Sequence, residues 1–284
     1  MFRYPRETEA DAFSLKLSSI LKPLDVIPWS ELALRYLGVP VVICVSTTFN
    51  GESNLSVFSL TDFLSPQDLM MVVQDNNYTG ALEKLESAGF DRSSPKNTLP
   101  PEVMATLSNP GLALEKIAAG FRRFYASCAV FNYPRGDPAE TDMQLYVIPD
   151  SFAHIFHEDI SCSAAGGHAT STTRFQSFGN LHYPLESTLV ESFVKAAIDE
   201  ETDPGFLDYS DWDEDLTAWV SMMTAYLEIN NDILDLCPDQ QAVEWYSKKF
   251  GRIRESKFGP TDRRITKRLG SGKEMPIDMR GNPI

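Results

Sequence analysis

The chain has 284 residues, 43% apolar, 23% charged and 11% aromatic, enough for one large core or two small ones and unlike a disordered segment. Its formal net charge of −15 argues against whole-protein binding to DNA or RNA, whose phosphates an acidic body repels. No apolar run has the length of a membrane span, the first residues carry charges where a signal peptide needs an apolar core, and Cys44, Cys128, Cys162 and Cys237 form no CxxC pair, so the sequence reads as a cytoplasmic protein with free thiols.

Ala10, Phe13, Leu17, Ile20 and Leu21 recur at helical spacing over 8–21. A short helix over 30–37 follows, with Ser30 at its N-cap and Gly38 as its stop. Val39 to Cys44 is apolar and β-branched, a strand signal. Residues 45–67 are rich in Ser, Thr and Asn, lack a period, and read as an insert splitting that strand from a second apolar run at 68–75. The helix 77–88 lays Ala81, Leu82, Leu85 and Ala88 on one face and stops at Gly89. Residues 91–110, with four prolines, read as a connection. A helix over 112–124 precedes strands at 127–133 and 142–150, and 159–182 reads as a surface loop.

Helical patterning returns over 185–198 and 216–236, around a stretch, 199–215, that holds nine acids and no base. A last helix over 239–250 leads into a basic tail: from Lys248 to Ile284 eleven Lys and Arg face four acids, a balance of +7 that leaves −22 on the rest. The pattern predicts an α/β (α+β) fold with a small mixed sheet and flanking helices over 1–160, a helical part over 161–250 and a flexible basic tail over 251–284.

Several constellations look chemical and lack a partner. The acidic run does not have the ligand spacing of an EF-hand. His154 and His157 lie three apart beside Glu158 and Asp159, but no third ligand stands at a recognisable spacing, which favours structural histidines. AAGGH at 164–168 and RLGSGK at 268–273 miss the spacing of a phosphate loop.

The segments PWSELALRYLGVP at 28–40 and DLMMVVQD at 68–75, the helix ending in ESAGF, and LYVIPDSFAHI at 145–155 together resemble a poorly characterised fungal family with a nucleotidyltransferase-like fold. In active members of that fold a Gly-Ser pair at a helix start cradles phosphates, and carboxylates on two strands hold a divalent ion. Mg²⁺ suits such a site because it takes oxygen ligands. The resemblance implies Asp68 and Asp142 as catalytic, metal-holding residues and Ser30 and Glu31 as substrate-binding residues. The chain departs from the pattern in two places: no Gly precedes Ser30, and Met70 stands where a second carboxylate is expected. The expectation is therefore a degenerate nucleotidyltransferase-like protein that binds a nucleotide or small molecule, with residual metal-dependent nucleotidyl transfer at most. The alternative is a non-catalytic module that engages a protein partner through its acidic surface and basic tail.

Overall fold

The computed structural model describes residues 5–40, 69–96, 101–134, 143–156, 160, 174–205, 210–227, 229, 233–250, 252–256, 263–269 and 273–277. Helix α1 (Ala12–Leu21) starts where the Asp11 carboxylate accepts a hydrogen bond from the Ser14 amide at 2.8 Å, later than periodicity alone suggests. It is followed by β1 (Ile27–Trp29) and α2 (Glu31–Tyr36), which Gly38 terminates with a φ of 83° that a side chain would resist. Val39 and Pro40 are not in a strand; the remainder of the expected 39–44 strand and the 45–67 insert lie outside the described residues.

The chain continues through β2 (Leu69–Val73), α3 (Tyr78–Ser87), β3 (Asp91–Ser93), α4 (Pro101–Thr106), α5 (Pro110–Gly120), α6 (Arg122–Ser127), β4 (Ala129–Asn132), β5 (Gln144–Pro149) and the short α7 (Asp150–Ala153). Five strands form a mixed sheet in the order β1-β2-β5-β4-β3. Strands β2 and β5 pair in parallel, with Leu69 opposite Leu145, and the other neighbours are antiparallel. Residues Gln144 to Ile148 of β5 are all buried, as expected of a central strand covered on both faces. Strand β3 and helix α4 fall inside the stretch read from sequence as a connection. The prolines that suggested a loop sit at 95 and 100 between the two elements and at the starts of α4 and α5, where a missing amide hydrogen does no harm.

The expected loop over 159–182 also contains a hairpin. Strands β6 (Phe175–Phe178) and β7 (Leu181–Pro184) are joined by Gly179 and Asn180, with Gly179 at φ 67°. The polar residues Gln176, Ser177, Asn180 and His182 dilute its period, but Phe175, Leu181 and Tyr183 are buried, and Tyr183 stacks on Tyr36 with ring centroids 4.1 Å apart. Val26 bridges to Leu181 in parallel, which ties the hairpin to the chain entering β1.

The C-terminal helices are α8 (Glu186–Thr202), α9 (Asp211–Tyr226) and α10 (Gln240–Phe250). Helix α9 begins within the acidic run, five residues before its apolar stripe, because Ser210 accepts from the Asp213 amide at 3.4 Å and Asp211, Asp213 and Glu214 favour the positive end of the helix dipole. An aromatic cluster joins these helices to the sheet: Trp29 lies 5.4 Å from Phe193 and 5.8 Å from Trp212, and Trp212 stacks on Phe124 at 4.1 Å.

Close packing of α5 on α9 is visible at Gly120, where a Cβ would stand 2.0 Å from Asp211 Oδ2 and 3.0 Å from Asp211 Cβ. Gly120→Ala should therefore destabilise the fold by about 1–3 kcal/mol in urea titration, and an unchanged midpoint would contradict this packing.

Within the basic tail, β8 (Arg252–Ser256), β9 (Arg263–Leu269) and β10 (Lys273–Ile277) form an antiparallel sheet in the order β10-β9-β8. Ile253, Ile265, Thr266 and Ile277 supply β-propensity that the surrounding Lys and Arg obscure in the sequence. Among the described residues no helix is long and apolar enough to cross a membrane.

Candidate functional site

Trp29 stands opposite Met70 at the end of β1, and the chain then turns sharply into α2. Ser30 makes that turn with φ 53° and ψ −128°, a backbone region that residues with a side chain rarely occupy. Ser30 is the N-cap of α2, as expected, and its carbonyl accepts the first helical hydrogen bond from Leu34 at 3.0 Å, but its side chain makes no capping bond. The conformation is held from both sides. Trp29 Nε1 donates to Ser192 Oγ at 2.8 Å, Ser192 donates in turn to the Ala153 carbonyl, and Leu32, Ala33 and Leu34 are buried just beyond.

Glu31 opens α2 and is half-buried, with Arg35 3.6 Å away one turn on. Burial pushes its carboxyl up to about 7, against the opposing pull of Arg35. Asp215, in the second turn of α9, is pushed up to about 8, first by burial, then by Asp211 and Glu214, and also by Glu31. For each of the two carboxyl groups burial is the largest cause of the displacement. Near neutral pH each carboxyl can therefore carry a proton and donate a hydrogen bond, or lose it and accept one.

A second carboxyl pair closes the ends of the parallel strands. The Asp75 amide donates to Asp150 Oδ1 at 3.1 Å, and the Ser151 amide donates to Asp75 Oδ1 at 3.4 Å. Asp150 is pushed up to about 6 by burial and by Asp75. Asp75 is also pushed up by partial burial, but hydrogen bonds from Asp150 and Ser151 outweigh that and leave it below its ordinary value. Asp75, exposed just past the end of β2, thus forms with Asp150 a reciprocal cap.

His154 adopts a left-handed backbone at φ 54°, and its Nε2 lies 3.0 Å from Asp199 Oδ2. The same oxygen accepts from Arg123 at 3.1 Å, and the Arg123 guanidinium lies over Phe152 at 4.8 Å from the ring centroid. Burial lowers the His154 pKa despite the attraction of Asp199. His154 is therefore engaged with α8; His157, Glu158, Asp159 and His168 lie outside the described residues.

Of the residues assigned from sequence, Ser30 and Glu31 share the β1–α2 turn, whereas Asp68 and Asp142 lie outside the described residues. Asp215 was not singled out in the sequence, because its acidic neighbours suggested only a helix start. The signal was present: Trp212, Leu216 and Trp219 mark the buried face of α9, and Asp215 lies on it, a carboxylate among apolar positions. Among the described residues no three His, Cys, Asp or Glu side chains converge closely enough to hold a metal ion. No family model, no curated protein and no solved structure matches this chain.

Proposed function

We propose that this chain is a nucleotidyltransferase-like protein that binds a nucleotide or related small molecule at the β1–α2 turn. The observation that carries the reading is the strained backbone of buried Ser30, at φ 53°, with the largely buried carboxyl of Glu31 next to it. Carboxyl groups whose titration burial moves into the neutral range concentrate at binding and catalytic sites, as do buried residues held in strained backbone. Ser30 and Glu31 also occupy the positions at which the sequence resemblance expects substrate contacts. A protonated carboxyl at this turn donates to a base or sugar acceptor, and an ionised one accepts from an amine or hydroxyl. Phosphoryl chemistry would need Asp68 and Asp142 to hold Mg²⁺, which would neutralise charge on the phosphate oxygens; binding at the turn does not depend on it.

Calorimetric titration with the four common ribonucleoside triphosphates, with and without Mg²⁺, tests the reading. At least one should bind saturably, and Glu31→Gln or Asp215→Asn should weaken it roughly tenfold, the equivalent of one strong hydrogen bond. If Asp68→Ala and Asp142→Ala abolish only the Mg²⁺-dependent part, the transferase arm stands as well. A folded chain that binds none of the four nucleotides overturns the proposal.

A further inference from the structure

We propose that Ser177, His182 and Asp25 form a nucleophile–base–carboxylate relay that accepts acyl groups from small esters. It lies at the opposite end of β1 from Ser30 and is independent of nucleotide binding. Ser177 on β6 faces His182 across the hairpin. Its Oγ lies 2.8 Å from His182 Nδ1, and His182 Nε2 lies 3.1 Å from Asp25 Oδ1. A hydroxyl within hydrogen-bond reach of an imidazole whose other nitrogen is fixed by a carboxylate is the general signature of an activated serine, on whatever fold it occurs.

The tautomer follows from the partners. An ionised Asp25 can only accept, so the ring proton sits on Nε2 and Nδ1 presents its lone pair to the Ser177 hydroxyl. The two ring nitrogens are exchanged relative to the usual serine-hydrolase arrangement, but the roles are unchanged: Nδ1 is the base and Asp25 positions the ring.

The surroundings fit a working group better than a merely satisfied histidine. His182 is 6% exposed, whereas Ser177 is open to solvent, so the base is shielded and the nucleophile is reachable. The support is stiff. Asn180 Nδ2 donates to the carbonyls of Leu24 at 2.7 Å and Ser18 at 3.0 Å, which pins the hairpin turn to the segment carrying Asp25. The His182 amide donates to Val26 at 2.9 Å, away from β6, so Ser177 and His182 are a cross-strand pair without backbone bonds between them, the kind with the closer side chains. For the same reason the Ser177 amide points to the outer edge of β6, where among the described residues no strand pairs with it, and it is the donor available to a developing oxyanion. Beside it, nothing lies within 4 Å of where a Cβ on Gly179 would stand, which leaves room for an ester to approach.

In the reaction Ser177 Oγ bonds to the ester carbonyl carbon as its proton passes to His182 Nδ1. The carbon–oxygen bond to the alcohol then breaks, and the leaving oxygen takes that proton. Water, deprotonated by the same nitrogen, releases the carboxylic acid and restores the serine.

The test treats the full chain with p-nitrophenyl acetate and, separately, with a fluorophosphonate probe, and maps adducts by peptide mass spectrometry. Both reagents should modify Ser177. Ser177→Ala should remove that adduct; its exposed position leaves the fold intact, as a thermal melt would verify. His182→Gln should slow labelling about a hundredfold, the lower range of general-base effects. Asp25→Asn should slow it and displace its pH profile, which a merely structural carboxylate would not do. A folded chain with no adduct on Ser177, or labelling indifferent to both His182→Gln and Asp25→Asn, overturns the proposal.

Discussion

Replacing Trp29 with alanine should lower the unfolding free energy by about 3–5 kcal/mol, the range for deleting a large buried aromatic. Trp29 is fully buried at the junction of the sheet with α8 and α9, within 6.1 Å, centroid to centroid, of Phe193, Trp212 and Trp219. Its removal leaves a cavity that three other rings border and that rigid elements on both sides cannot close. It also strips Ser192 of the indole donor that completes the link to Ala153. Domains of this size are stable by only about 5–15 kcal/mol, so this single change should consume much of the total. Trp29→Phe separates the two contributions: it keeps most of the ring contacts and should lose mainly the hydrogen bond, about 1 kcal/mol plus a smaller packing loss. Urea titrations of the three proteins give the comparison. A loss below about 1 kcal/mol in the alanine variant would show that the core lies elsewhere.

Glu31→Gln should stabilise the protein at alkaline pH and do little at acid pH. The Glu31 carboxyl titrates at about 7 in the folded chain against 4.5 when unperturbed, so between those values the folded state holds a proton that the unfolded state releases. Stability from this group is complete below about pH 4.5 and is lost as the pH climbs through 7. Glutamine carries no titrating proton and removes the dependence. Above pH 7 the variant should exceed the original by on the order of 3–4 kcal/mol, at about 1.4 kcal/mol per unit of displacement. Asp215, Asp213 and Asp150 are displaced in the same direction and give the original protein further slope, so the informative quantity is the difference between the two proteins at each pH. Thermal melts at pH 4, 6 and 8 measure it. A difference that stays constant across that range would mean Glu31 is not buried as described.

Much of the fold was legible because apolar residues recur where helices need them. Leu17 and Leu21, Leu82 and Leu85, and Leu189 and Phe193 each mark a helix that the structure contains. What escaped was short or polar. The β6–β7 hairpin hid behind Ser177, Asn180 and His182, which look like loop residues until their partners are known. Helix α9 hid its first turn in an acidic run that belongs at a helix start. Of the proposed site, the sequence offered Ser30 and Glu31. They came from the family resemblance, at the start of α2. Asp215 and Asp25 acquire meaning only from neighbours far away in sequence, and no local pattern encodes such a meeting.

The hairpin's attachment to the start of the chain has a consequence for synthesis. Ser18 and Asn180, joined at 3.0 Å, are 162 positions apart, and Trp29 and Ser192 are 163 apart. A ribosome releasing residues in order presents α1 and β1 long before the segments that cover Val26 and Trp29 exist. The early portion must therefore wait as an incomplete sheet with apolar surface exposed, which favours slow, late closure and dependence on chaperones while the chain is nascent.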